Sequence, residues 1–313
     1  MHLIDLHCDT LYKSVINNIS LNESSMDVKP LSEDTDFHKL QCYAIWMPDD
    51  LSGDDSENLF YKAYNMLVSE AQRLNIKLAG KNDCCRSQFI NNINSAYFTV
   101  ENGSALNGKI ENIKKFADMG VKIITLTWNG SNDIGDGAKV HKSRGLTKFG
   151  KTVVSEMERE SIVIDISHAS DKLFYDVMDI ATKPVIATHS NSRYITNNLR
   201  NLTDDQVKII INCGGIIGLN FHNEFLNNNS DKANMFDIIK HTEHFLSIGA
   251  ENNLCFGSDF DGCTLPNSIK GSESMDEIYE MFLRHNYKES VINKIFYGNA
   301  LKFFENFDIR RIM

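Results

Sequence analysis

Short apolar runs alternate along the chain with longer segments that have the period of an α-helix. Short runs rich in β-branched and other apolar residues are typical of buried strands. Eight such runs can be marked, at 3–6, 42–46, 96–100, 123–126, 162–166, 185–187, 215–220 and 254–256. Each is long enough for one strand and too short for a helix, so the pattern predicts eight strands.

The segments between these runs predict helices. They lie at about 56–74, 105–118, 147–160, 171–180, 203–213 and 234–248, and the tail at 274–306 predicts two or three more. In the segment 234–248, Met235, Ile238 and Phe245 share one face, while Lys240 and Glu243 lie on the other. Strand-helix alternation repeated eight times favours a single (β/α)8 barrel of the TIM type over 1–313, with C-terminal helices. A doubly wound open sheet is the alternative.

Length and composition are compatible with that fold and exclude some partners. A chain of 313 residues with 42% hydrophobic and 24% charged residues suits one barrel of about 250 residues plus insertions. The net charge of −10 argues against nucleic acid and against an anionic membrane surface. Because the sequence shows no secretory signal and no long apolar span, we expect a cytoplasmic protein with no membrane partner.

The cysteine pattern indicates neither a disulfide framework nor a zinc-thiolate site. The number is odd and no two cysteines have the Cys-x-x-Cys spacing. The residues are Cys8, Cys42, Cys84, Cys85, Cys213, Cys255 and Cys263. We therefore expect free thiols in a reducing compartment.

Polar residues that can bind metal follow five of the predicted strands. In a (β/α)8 barrel, the catalytic groups follow the carboxyl ends of the strands. Imidazoles and carboxylates are the ligand types that suit zinc and related divalent ions. The candidates, in chain order, are His7, Asp9, Glu101, His168, His189 and Asp259.

The spacing of these residues suggests two ions. Residues i and i+2 of a strand point to the same face, so His7 and Asp9 can reach one ion together. The carboxylate of Glu101 can bridge two ions about 3.5–4 Å apart. His168 and His189 would complete the second ion, which leaves Asp259 as the candidate general base. A single histidine at a strand end is usually only hydrogen-bonded, but five such residues in barrel order favour a metal centre.

The same residues belong to segments that resemble a known family. These segments include Asp-Leu-His-Cys-Asp-Thr at 5–10, Ser-His at 167–168, Thr-His-Ser-Asn at 188–191 and Ser-Asp-Phe-Asp-Gly at 258–262. Others lie at 100–103, 145–150, 199–204, 214–218 and 298–301. Together they resemble the membrane dipeptidase (renal dipeptidase) family of zinc metallopeptidases, an amidohydrolase-like group, from residue 5 to about residue 305.

The resemblance implies an activity and a role for each residue. It implies hydrolysis of dipeptides by a bridging water that two zinc ions activate. His7 and Asp9 would bind one zinc, His168 and His189 the other, and Glu101 both. Arg200 would hold the terminal carboxylate of the substrate, since a guanidinium can form two parallel hydrogen bonds with it. Asp259 would move a proton from the water to the departing amine. Family habit also implies a homodimer.

Two positions depart from the better-known animal members of the family. Trp128 stands where they carry a histidine that contacts the scissile carbonyl, and tryptophan cannot carry charge there. Oxyanion stabilisation would then rest more on the metals, with Asn129 as a further candidate donor. His222 stands where a tyrosine is frequent, and it is a candidate to line the substrate pocket.

Two other functions fit parts of the sequence. The same scaffold could hydrolyse another small amide, such as an N-acyl amino acid or a lactam. The segment 145–152 matches the nucleotide-binding pattern G-x-x-x-x-G-K-[ST]. A true phosphate-binding loop must follow a buried strand. The polar stretch 136–144 makes nucleotide binding the weaker hypothesis.

Overall fold

The computed structural model of the protein describes residues 2–29, 38–80, 91 and 93–309. Its parallel strands form one sheet with the order β6-β5-β4-β2-β1-β8-β7, and β3 pairs with β4 beside this path. The strands are β1 His2–Cys8, β2 His38–Trp46, β3 Lys77–Leu78, β4 Ser95–Glu101, β5 Val121–Thr125, β6 Val163–Asp165, β7 Ile217–Leu219 and β8 Leu254–Phe256. The strand β3 was not predicted.

Residues 185–187 close this sheet into a barrel. Ile186 pairs with Asp165 at the end of β6, and Ala187 pairs with Ile217 at the start of β7. The predicted strand at 185–187 therefore contributes isolated bridges and no regular strand. Its ladder ends early because the next amide, Thr188 N, donates to the Asp165 carboxylate at 2.9 Å. The barrel prediction is confirmed, and the open-sheet alternative is wrong because the two outer strands are joined.

Eleven α-helices surround the barrel or follow it in the described part of the chain. They are α1 Thr10–Asn17, α2 Asp54–Arg73, α3 Glu111–Asp118, α4 Lys148–Glu160, α5 Asp171–Met178, α6 Asp204–Asn212, α7 Asn223–Leu226, α8 Met235–Ser247, α9 Met275–Arg284, α10 Glu289–Asn293 and α11 Asn299–Ile309. The predicted helix at 105–118 is shorter than expected. Asn107 and Gly108 have φ of 52° and 63°, a left-handed turn that separates the 3-10 helix Gly103–Leu106 from α3.

The barrel interior is filled at its amino end. Alternate strand residues such as Ile4, Leu40 and Tyr97 form a buried cluster with Phe303 and Phe304 of α11. The final helix therefore packs against the bottom of the barrel. The carboxyl ends of the strands, where barrel enzymes carry their active sites, stay accessible to a ligand.

The segment 145–152 does not have the setting of a phosphate-binding loop. Residues 126–147 contain only isolated β-bridges, so no buried strand leads into it. Thr147 caps α4 by accepting a hydrogen bond from Gly150 N at 2.9 Å. A Cβ at Gly150 would collide with the carbonyl oxygen of Ile134. This glycine is thus explained by helix packing, and the nucleotide-binding alternative loses its support.

Five cysteines lie in the described residues and none of them forms a disulfide. They are Cys8, Cys42, Cys213, Cys255 and Cys263. Cys84 and Cys85 lie outside the described residues. In the described part of the chain, no helix combines the length and the apolar character needed to cross a membrane.

Candidate metal centre and its cavity

Glu101 lies between histidines from three strand ends. Its Oε2 is 3.4 Å from His7 Nε2, and its Oε1 is 2.8 Å from His168 Nε2 and 3.6 Å from His189 Nε2. The two carboxylate oxygens thus face different imidazoles. All four side chains are buried. A carboxylate in this position can serve two ions at once.

Asp9 and Asp259 join His7 on the other side of Glu101. The Nε2 atom of His7 is 3.7 Å from Asp9 Oδ2 and 3.9 Å from Asp259 Oδ1. His7 Nε2 and Asp9 Oδ1 are buried and have no hydrogen-bond partner. A Cβ at Gly262 would collide with Asp9 Oδ2, so the glycine in the segment 258–262 makes room for this carboxylate. Buried polar atoms without a partner, such as these two, are expected where an ion binds.

Hydrogen bonds fix the tautomers of His168 and His189. Thr188 Oγ1 donates its proton to Asp165 Oδ2 at 2.6 Å, so it accepts from His189 Nδ1 at 2.8 Å. His168 Nδ1 lies 3.0 Å from Asn129 Oδ1, which can only accept. Both rings therefore present an unprotonated Nε2 to the centre, and these two atoms are 2.9 Å apart. Two lone pairs facing each other beside Glu101 suit a metal ion.

The pKa shifts of these buried side chains also fit a cation-binding site. Burial holds the pKa of His168 and of His189 well below the usual value, so both are neutral ligands. Burial disfavours protonation of His7, but Glu101 and Asp9 outweigh it and raise the His7 pKa well above its usual value. Burial, with the charge of Asp9, raises the Glu101 pKa to about 7. These side chains fit one or two divalent cations, which would stabilise the closely packed carboxylates.

Asp259 is held in a strained conformation at the end of β8. Its φ is 63°, in the left-handed region that non-glycine residues rarely adopt. Asn220 Nδ2 donates to Asp259 Oδ2 at 2.9 Å and so fixes one carboxylate oxygen, while Oδ1 faces His7. Burial raises the pKa of Asp259 to about 6. A carboxylate with this pKa can exchange a proton near neutral pH.

A cavity of about 280 Å³ opens onto this centre. Asp9, Glu101, His168 and Asp259 line it, whereas His7 and His189 lie deeper. The predicted substrate contacts Trp128, Asn129 and His222 line it as well.

Arg200 lies behind the cavity wall and is not one of the residues that line it. Its guanidinium packs on the ring of Phe225, 5.3 Å from the ring centre, and Phe225 does line the cavity. Its Nη2 donates to the carbonyl oxygen of His189 at 3.1 Å, while its Nε has no partner. Burial lowers the Arg200 pKa to about 10. Because this value is still well above neutral pH, the side chain remains a cation.

Comparison with known proteins identifies the family. The sequence profile described as membrane dipeptidase, peptidase family M19, matches residues 1–310. The chain belongs to the membrane dipeptidase family. This confirms the resemblance seen in the sequence segments.

Solved structures share the fold of this chain, and a curated relative is similar to it in sequence. A metallopeptidase from Rhodobacter sphaeroides, liganded with a phosphinate mimic of L-Ala-D-Ala, has a TM-score of 0.89 at 23% identity and covers 97% of this chain and 99% of its own. The probable dipeptidase PvdM from Pseudomonas aeruginosa has a TM-score of 0.78 at 17% identity, covering 87% and 86%. An uncharacterised Klebsiella pneumoniae protein encoded in the pqqA 5′ region is 30% identical over 66% of this chain and 80% of its own.

Two buried aspartates support the centre in this member of the membrane dipeptidase family, and neither was predicted from the sequence as a site residue. Asp5 accepts from Ser258 N at 2.9 Å and so ties β1 to the end of β8. Asp165 accepts from Thr188 N at the same distance and ties β6 to the strand end that carries His189. Each precedes another polar residue by two positions, as Asp-x-His and Asp-x-Ser, and that repeated spacing was the available signal.

Several residues of the cavity lining were also not predicted from the sequence. Tyr12, Trp46, Lys139 and Phe225 all line the cavity. Tyr12 packs on Trp46 and Trp46 packs on Trp128, each pair with ring centres 4.8 Å apart. Only the fold brings these distant aromatic residues together, because nothing in their local sequence marks them.

Thr188→Val should weaken metal binding, because valine cannot accept the hydrogen bond from His189 Nδ1. We expect metal affinity to fall about 10- to 100-fold, the usual loss when such a supporting partner is removed. Competition with a chromophoric chelator measures it. The matched control is Thr125→Val, since Thr125 also donates to Asp165 but no bond joins it to His189. Equal affinities for the two variants would contradict the proposed tautomer control.

Proposed function

We propose that this protein is a dipeptidase that uses two divalent metal ions, with zinc the best match to its donor set. The observation that carries the proposal is Glu101, whose two oxygens face His7 on one side and His168 with His189 on the other. Imidazole and carboxylate ligands on open strand ends are typical of catalytic zinc sites. Membership of the membrane dipeptidase family supports the same reaction.

The residues divide into metal-binding and proton-transferring groups. His7 and Asp9 would hold one ion, His168 and His189 the other, and Glu101 both. When bound, the ions would supply Lewis-acid chemistry, namely polarisation of the scissile carbonyl and a lowered pKa for the attacking water. Asp259 accepts the proton of that water and delivers it to the departing amine. Its pKa of about 6 suits both steps, and Asn220 keeps its carboxylate in place.

The substrate would be held by the cavity wall. Behind that wall, Arg200 would provide the positive charge for the terminal carboxylate, since its guanidinium packs on the lining residue Phe225 and its Nε is an unused donor. Trp128 offers a flat apolar surface and cannot stabilise an oxyanion by charge. The side-chain oxygen of Asn129 accepts a hydrogen bond from His168, so its amide nitrogen is the group that can donate to the substrate. His222 faces the cavity and its burial lowers its pKa, which makes it a neutral contact.

Arg200→Met should raise KM for dipeptides by about tenfold or more while changing kcat much less. A buried guanidinium that pairs with a carboxylate typically contributes more than about 1.4 kcal/mol to binding. Lys139→Met is the matched control, because Lys139 is the exposed cation at the same cavity. Initial rates over a range of Ala-Ala concentrations give both constants. If Lys139→Met raises KM and Arg200→Met does not, the carboxylate site is misassigned.

Metal analysis paired with a substrate panel tests the proposed function itself. We expect two equivalents of metal and hydrolysis of dipeptides, including L-Ala-D-Ala, whose phosphinate mimic occupies the Rhodobacter structure. The panel also contains N-acyl amino acids and a lactam, the other small amides that this scaffold could hydrolyse. Preference for one of those over every dipeptide would overturn the proposal. Light scattering on the same sample measures the predicted homodimer.

A further inference from the structure

A second cleft, of about 290 Å³, adjoins the cavity above the metal centre. The two share Asn198 and Glu224, which line both. The rest of the second cleft is formed by amide and hydroxyl side chains, namely Thr196, Asn197, Asn227, Asn228 and Ser230. Its lining is therefore uniformly polar, unlike the aromatic wall of the main cavity.

The walls of this cleft are fixed before any ligand binds. The segments that precede α6 and α8 are cross-linked, because Asn197 N donates to Asn228 Oδ1 at 3.0 Å and Asn228 Nδ2 donates to the carbonyl oxygen of Ile195 at 3.2 Å. Asn201 Nδ2 adds a bond to the carbonyl oxygen of Phe225 at 3.0 Å. A preorganised surface of this kind loses little entropy when a ligand binds.

The cleft lies on the Arg200 side of the cavity. Arg200 N donates to Asn198 Oδ1 at 3.0 Å, so one shared residue contacts Arg200 directly. The other shared residue, Glu224, immediately precedes Phe225, on whose ring the guanidinium packs. A dipeptide with its carboxylate at Arg200 and its scissile carbonyl at the metals would therefore direct the side chain of its second residue towards this cleft.

Glu224 is the single charged residue among the described residues that line the cleft. Among the described residues, no salt bridge or hydrogen bond engages its side chain. A carboxylate at the junction of two cavities, with no cation of its own, attracts a positively charged group and repels a negative one. The amides and hydroxyls around it can bind any polar group.

We propose that this cleft is the subsite for the side chain of the second residue of the dipeptide. Glu224 makes it favour polar and cationic side chains over anionic ones. The inference rests on the proposed dipeptidase function, because it places the substrate carboxylate at Arg200.

The test compares Ala-Lys, Ala-Ala and Ala-Glu as substrates for wild type and Glu224→Gln. Wild type should prefer Ala-Lys to Ala-Glu, and Glu224→Gln should lower the Ala-Lys to Ala-Glu ratio of kcat/KM by about fivefold, mainly through KM. Glu224→Lys should reverse the preference. Glu243→Gln is the control, since it removes the same charge from an exposed position on α8.

The outcomes separate the two proposals. If Ala-Ala is hydrolysed but the ratio is the same in wild type, Glu224→Gln and Glu224→Lys, the subsite proposal is wrong and the dipeptidase function stands. An equal shift in Glu243→Gln would also overturn it, because the effect would then be one of net charge. If none of the three dipeptides is hydrolysed, both proposals fall.

Discussion

Replacing Glu101 by glutamine should abolish hydrolysis and empty the metal centre while leaving the fold intact. A glutamine side chain has one oxygen and no charge. It therefore cannot bind an ion on the His7 side and another on the His168 side at the same time. Metal catalysis of this kind contributes several kcal/mol, so we expect kcat/KM to fall about a thousandfold or more. Elemental analysis of the purified variant measures the metal, and circular dichroism measures the fold.

Glu70→Gln is the matched control for this experiment. Glu70 is also buried, but it accepts from Ser20 and Arg73 far from the barrel mouth, and the Arg73 contact lowers its pKa to about 2. That variant should lose some stability and keep both metal and activity. A metal-free Glu101→Gln protein with full activity would exclude the proposed mechanism.

Asp259→Asn should reduce kcat by about 10²- to 10⁴-fold, the usual range for loss of a general acid-base group. Asparagine keeps the shape of the side chain but cannot accept the proton of the attacking water. Because the five proposed ligands remain, we expect the metal content and the KM for Ala-Ala to change little. Steady-state rates and elemental analysis on the same preparation give all three quantities.

The structure also allows Asp259 to be a metal ligand, and the Asp259→Asn variant tests this second role. His7, Asp9 and Asp259 present ligand atoms close enough together to hold one ion. If Asp259 is a ligand, Asp259→Asn should lose metal together with activity. Loss of about one equivalent of metal would therefore assign Asp259 to the metal centre and remove it as the general base.

The local pattern of the chain was sufficient for the strands and helices with strong periodicity. The helix predicted at 234–248 agrees with the observed α8, Met235–Ser247, to within one residue at each end. The agreement is close because the apolar stripe of this helix and its Asn234 cap are local signals. The pattern failed at 105–118, where Asn107 adopts a left-handed turn that interrupts the helical period. It also failed at 185–187, where Asp165 takes the amide that a regular ladder would use.

By itself, the sequence determined the barrel, the family and the polar residues at strand ends, because each depends on spacing and residue type along a short stretch. It could not determine which groups meet. Residues from separate loops meet at the site. Thr188 orients His189, Arg200 packs on Phe225, and Glu224 is the one charged residue among the described residues that line the polar cleft. Only the closed barrel brings those loops to one rim, and the distances between them decide the chemistry.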